Sequence, residues 1–181
     1  LEAFEQSLDL RRQLGDAAGE IRALVGVAQM LVALGESERA EAMSRDLLEM
    51  AGGDARTEHY GFHFLADCAL IRGDTEEAER RYRESLRAAL PLGDVIETGF
   101  EVEGVAMAAA GNGDPERALR LAGAVEALHE SLGVSISIAF WDRFRERYLP
   151  GVRTFAGARE LLRRLRVADP DARGRELLSE Y

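Results

Sequence analysis

The chain has 181 residues, a net charge of −10 and a hydrophobic share of 46%. That share can bury a core, and the dominance of alanine, leucine, glutamate and arginine over valine, isoleucine and aromatics predicts an all-α fold. The acidic balance argues against a general affinity for nucleic-acid backbone or anionic lipid.

The charge is uneven: residues 1–137 hold 26 acids against 13 arginines, and residues 138–181 hold 7 acids against 10 arginines. There is no lysine, and an arginine-only, alanine-rich chain points to the compositional bias of a source genome. Cys68 is the single cysteine, which fits a reducing cytoplasm. The longest apolar run, Ala23 to Leu34, is interrupted by Gln29 and falls short of the length needed to span a bilayer, so it reads as a buried helix. No signal-peptide pattern is present. The chain opens on Leu1, which leads us to expect the natural start upstream.

Leu1 to Leu14 reads as a helix with no partner before it. Its Phe4-Glu5-Gln6-Ser7-Leu8 echoes Tyr82-Arg83-Glu84-Ser85-Leu86, so residues 1–14 are the second helix of an incomplete repeat. Such a helix carries an apolar face that needs cover, through truncation of the chain or dimerisation.

Helices follow near 16–34, 37–51, 55–72, 75–90, 94–110 and 115–131. Two interleaved glycine series punctuate them. Gly15, Gly53, Gly93 and Gly133 are spaced 38, 40 and 40; Gly35, Gly73 and Gly113 are spaced 38 and 40. Five of the seven precede aspartate and a sixth precedes glutamate. Glycine followed by an acid is what a helix–turn–helix needs: the glycine ends one helix in the left-handed region, and the acid caps the next. In Gly113-Asp114-Pro115 the cap precedes a proline at the first helical position. Asp74 and Glu77 are spaced for a capping box. Between the glycines, Ile21, Leu24, Val25, Ala28, Leu31 and Val32 form one helical stripe, and Ala118, Leu121, Ala122, Val125 and Leu128 another. Residues 15–133 are therefore three repeats of about forty residues, and residues 134–181 a C-terminal helical cap.

With the repeat delineated, the chain resembles the tetratricopeptide proteins, in a divergent branch longer than the usual repeat of about 34 residues. Ala28, Ala66 and Ala106 take the small position of each first helix, and Ala40, Ala78 and Ala118 that of each second helix. Tyr82 matches the family's following aromatic, from which Ser44 and Ala122 depart. The first-helix tryptophan and tyrosine are replaced by Leu24 and Leu31, Phe62 and Ala69, and Val102 and Ala109. Arg83-Glu84-Ser85-Leu86, Gly113-Asp114-Pro115-Glu116-Arg117-Ala118 and Ala127-Leu128-His129-Glu130-Ser131-Leu132-Gly133 are similar to the C-terminal region of large bacterial regulators. These are LuxR-type and antibiotic-regulatory-type transcription activators, and cyclase-linked signalling ATPases. Phe140-Trp141 and Arg147-Tyr148 suit the helix that closes such tails. The alanine-tryptophan and glycine-arginine pattern of that closing region is missing here. No phosphate-binding loop and no DNA-binding helix-turn-helix motif is found, so those functions would lie outside this chain.

The resemblance implies a right-handed superhelix of antiparallel helical hairpins whose first helices line a concave groove. The family's groove spacing falls on Arg22, Val25 and Gln29, on Tyr60, His63 and Asp67, and on Phe100, Glu103 and Met107. Aromatics, a methionine and mixed charge fit a groove for a peptide or helix. The same residues equally fit a seat for the C-terminal helix folded into that groove.

Other residues are weighed in turn. His59, His63 and Asp67 share one helix face at metal-chelating spacing, but no zinc-protease glutamate follows His59, and a polar stripe on an inner helix accounts for them. Cys68 among alanine and leucine reads as a structural thiol. Glu76 and Glu77 suit a helix start. Arg159, Arg163, Arg164 and Arg166 make a nucleic-acid patch, the solvated side of a capping helix docked through Leu161, Leu162 and Leu165, or a latch on the acidic body; the cap is preferred. No nucleophile–base pair is evident. The reading is a non-enzymatic, cytoplasmic interaction or effector-sensing scaffold, with no cofactor, metal, membrane or direct nucleic-acid partner. Self-association as a homodimer through helix 1–14 is the alternative.

Overall fold

The computed structural model describes residues 1–150, and within them the chain is all-α, with no strand. The sequence reading of the tail at Arg159, Leu161, Leu162, Arg163, Arg164, Leu165 and Arg166 lies outside the described residues. Eight α-helices follow in order: α1 (Glu2–Leu14), α2 (Ala17–Leu34), α3 (Ser37–Ala51), α4 (Ala55–Arg72), α5 (Thr75–Ala89), α6 (Val95–Gly111), α7 (Pro115–Leu132) and α8 (Ala139–Tyr148). The first seven fall within about two residues of their expected bounds.

The punctuation is the reason for this agreement. All seven periodic glycines have positive φ, between 65° and 89°, and Gly52 joins them at 55°. After them, Asp16, Asp54, Asp74 and Asp114 each accept a backbone N–H three residues on, from Gly19, Thr57, Glu77 and Arg117. Asp94 takes the amides of Ile96 and Glu97. The Gly19 amide, with Arg11, holds the Asp16 carboxyl below its ordinary value. Glu36 makes no cap bond, because its longer side chain turns to Arg39 instead.

The capping box at Asp74 and Glu77 is only half formed. The Asp74 N–H already donates to the Ala69 carbonyl, and the Glu77 carboxylate goes to Arg80 and Arg81. Helix α5 ends at Ala89, one residue early, where Leu90–Leu92 forms a single 3₁₀ turn. Pro91 in that turn has no N–H to continue the ladder.

Two compact units divide the described chain, Leu1–Thr98 and the part from Gly99 onward. In the first, α1 packs on α2, α2 on α3, α3 on α4 and α4 on α5, and α2 also touches α4. Neighbour and next-but-one packing is how hairpins stack. Its core holds Leu24, Val27, Leu31, Leu47, Phe64, Leu70 and Tyr82. Ala28, Ala40, Ala66 and Ala78 are fully buried there, as the close approach of helices demands. Ala106 and Ala118 are equally buried in the second unit.

One expectation needs correcting. Helix α2, Ala17–Leu34, is long and apolar enough to cross a membrane, because its mean hydropathy of 1.5 stays high despite the charges of Glu20 and Arg22. Leu24, Val27, Ala28, Leu31 and Val32 on that helix are buried in the core of the first unit.

Candidate functional site

Three residues of the expected groove lie on α2. Arg22 and Gln29 are exposed, and Val25 is half-buried. On α4, Tyr60 and His63 are half-buried, whereas Asp67 is fully buried. Asp67 thus belongs to the interior of the α4–α5 hairpin. The Tyr82 hydroxyl of α5 donates to its Oδ1 at 2.5 Å, and the His63 Nε2 stands 3.5 Å from its Oδ2. The His63 ring meets Tyr82 and Phe64 edge-on, and Tyr60 stacks on Phe64. Of the expected groove residues in this unit, Arg22 and Gln29 thus reach solvent fully, and Val25, Tyr60 and His63 in part.

A second polar group lies beneath it. His59 is fully buried, with Nδ1 2.8 Å from Ser85 Oγ and Nε2 3.4 Å from Glu97 Oε2. Serine, histidine and glutamate together resemble a hydrolytic triad, but the protons run the wrong way. The Ser85 hydroxyl donates to the His59 carbonyl at 2.9 Å, so its oxygen accepts from Nδ1–H. No base points at the serine proton, and Ser85 is sealed from solvent. The bond from His59 holds the Glu97 carboxyl below its ordinary value, against the effect of burial. His59 stands nearest Glu97 and His63 nearest Asp67, although His63 also acts electrostatically on Glu97, and among the described residues no group of three or more His, Cys, Asp or Glu is placed to hold a metal ion.

In the second unit, the expected groove residues of α6 have a different fate. Met107 is fully buried, and Phe100 and Glu103 meet α8. The Trp141 indole stands edge-on to Phe100, 5.4 Å between centroids. Its Nε1 donates to Glu103 Oε2 at 2.7 Å. Arg145 closes the arrangement with Nε on Oε1 and Nη2 on Oε2, both at 2.8 Å. A bidentate guanidinium on a desolvated carboxylate is a strong, directional pair. Arg145 also donates to Asp142 and to the Ile136 carbonyl. Burial works against its charge, yet the bonds to Glu103 and Asp142 outweigh it and raise its pKa.

Of the two arrangements that fitted α6, a helix seat is the one present at Phe100 and Glu103. Sequence reasoning placed a closing helix at Phe140-Trp141 but not its partners. The signal was faint: an aromatic and an arginine four residues apart share one helix face, and a glutamate one repeat after His63 faces them. Ser85 and Glu97 were missed as partners of His59, since both suit exposed helix positions.

Compared with protein-family models and with curated proteins, the sequence matches none.

Proposed function

We propose that this chain is a non-enzymatic interaction domain of the tetratricopeptide kind, belonging to a larger bacterial signalling or transcription regulator in the cytoplasm. Its first-helix faces take a peptide, a partner domain or a small effector in the groove of a right-handed superhelix with a C-terminal cap. The observation that carries the reading is the seat of α8 on α6. Phe100 and Glu103 hold an amphipathic helix, and they stand one repeat, 40 residues, after Tyr60 and His63. On α2 and α4 the same register carries the exposed Arg22 and Gln29 and the half-buried Val25, Tyr60 and His63. An aromatic beside an arginine and amide donors is the composition that binding hot spots favour. The protons around Ser85 and the acidic net charge support the absence of catalysis and of a direct nucleic-acid partner.

Selection from a displayed peptide library tests it. Peptides captured by the full chain are expected to bind at least about tenfold more weakly to Arg22→Glu/Tyr60→Ala. Equal binding to both proteins would remove the α2–α4 face from the proposal.

Self-association is the second reading, favoured by α1. Leu10 and Leu14 on that helix are 54% and 68% exposed, and Leu8 is its single buried side chain. A monomer by light scattering at high concentration would rule this reading out.

A further inference from the structure

Helix α8 is short, and two bonds tie it to the chain just before it, from Ser137 Oγ to Asp142 and from Arg145 to the Ile136 carbonyl. It has ten residues, and Ile138 at its start offers no side-chain cap. Gly133–Ile138, which joins it to α7, has no helix or strand and is largely exposed. An isolated helix of fewer than about 12–15 residues is marginal in water, so α8 owes its helicity to its seat. The seat in turn is built for a helix with particular chemistry. Glu103 is buried, and α8 supplies donors to both of its oxygens. With α8 lifted, the Phe100 ring and the Glu103 carboxylate would meet water, and a helix that brings an indole N–H and a guanidinium back to that carboxylate would restore the bonds that α8 makes.

We infer that the Phe100–Glu103 face of α6 is a recognition site for an amphipathic partner helix bearing a tryptophan and an arginine four residues apart, and that α8 is its built-in competitor. The inference rests on the reading of first-helix faces as binding surfaces, and it names the partner of one of them. Trp141 and Arg145 show the required donors: an indole N–H for one oxygen and a guanidinium fork for both. Tryptophan and arginine are also among the residues enriched at interface hot spots. Partner affinity is reduced by the fraction of time that α8 occupies the seat, which makes α8 an autoinhibitory element.

The test uses the full chain and a labelled peptide with the sequence of residues 136–150. Trp141→Ala/Arg145→Ala vacates the seat, with helicity followed by circular dichroism. This variant is expected to bind the peptide at least about tenfold more tightly than the parent. Adding Glu103→Gln should abolish the gain. Equal binding to parent and vacated chain, or none to either, overturns the inference. Loss of binding on Arg22→Glu/Tyr60→Ala but not on Glu103→Gln would move the peptide to α2 and α4; that supports the broader function and overturns the α6 site. Should the vacated variant lose its helicity, hydrogen exchange on the parent decides. Amides of Trp141–Tyr148 should exchange at least about tenfold faster than those of Val105–Ala110. Equal protection would make α8 a fixed part of the fold and end the proposal.

Discussion

The Tyr82 hydroxyl donates to Asp67 Oδ1 at 2.5 Å, and neither side chain reaches solvent. A carboxylate that the family resemblance implied for the groove is therefore a tie between the two helices of a hairpin. Removing one donor from a buried carboxylate costs far more than the net worth of an average hydrogen bond. Tyr82→Phe keeps the ring and its edge contact with His63 but deletes that donor. We expect a loss of about 1.5–3 kcal/mol in urea unfolding. A loss under about 0.5 kcal/mol would mean that Asp67 is solvated in solution.

How much could be read beforehand follows from what each feature depends on. The helices were legible because their ends are fixed locally: a glycine at positive φ and an aspartate accepting an amide three residues on leave little freedom. Ala28, Ala66 and Ala106 were legible because close packing admits nothing larger. Partnership across distance was not. Glu103 and Trp141 are 38 residues apart, and no local rule ties a groove glutamate to an indole in a later helix. Asp67 misled for the same reason, since its burial is decided by Tyr82 on the next helix.

Helix α4 meets α3 at Gly61. A Cβ built there lies 2.7 Å from Leu48 Cγ and Cδ2 and 3.3 Å from the Ser44 carbonyl oxygen. Alanine favours a helix over glycine by about 1 kcal/mol. Overpacking costs about 1–3 kcal/mol, so Gly61→Ala is expected to be neutral to destabilising by about 2 kcal/mol. The discriminating measurement is a double-mutant cycle with Leu48→Ala. Because the truncation makes room, the pair should be more stable than the sum of single effects by at least about 0.5 kcal/mol. Strict additivity would show that the two helices are further apart than described.

The contact of His59 with Glu97 gives a pH dependence of known sign. The folded pKa of Glu97 lies below its ordinary 4.5, first through the hydrogen bond from His59 and against the opposing effect of burial. A depressed carboxyl stabilises the fold above its unfolded value, and that contribution is lost as pH falls through the folded value. Glu97→Gln should thus be less stable than the parent at pH 6, with the gap closing below pH 4.5. Urea midpoints of both proteins over this range decide it. Curves that run parallel down to low pH would show that Glu97 is not paired in the folded state.

Cys68 provides a probe of the same hairpin from inside. It is fully buried on α4, and burial, reinforced by the neighbouring Asp67 charge, pushes its thiol up to about 12. The thiolate is the reactive form, so at pH 8 only about one molecule in ten thousand would carry it even with access. Iodoacetamide should leave the native protein unlabelled over hours and modify it promptly in concentrated guanidinium. Labelling under native conditions then requires α4 to open from the helices packed on it, and its rate reports that opening. Tyr82→Phe, by removing the tie to the adjacent Asp67, should speed native labelling by roughly tenfold or more, the equivalent of about 1.4 kcal/mol. If native labelling were already as fast as in the unfolded chain, Cys68 would be accessible and the packing described around α4 would be wrong.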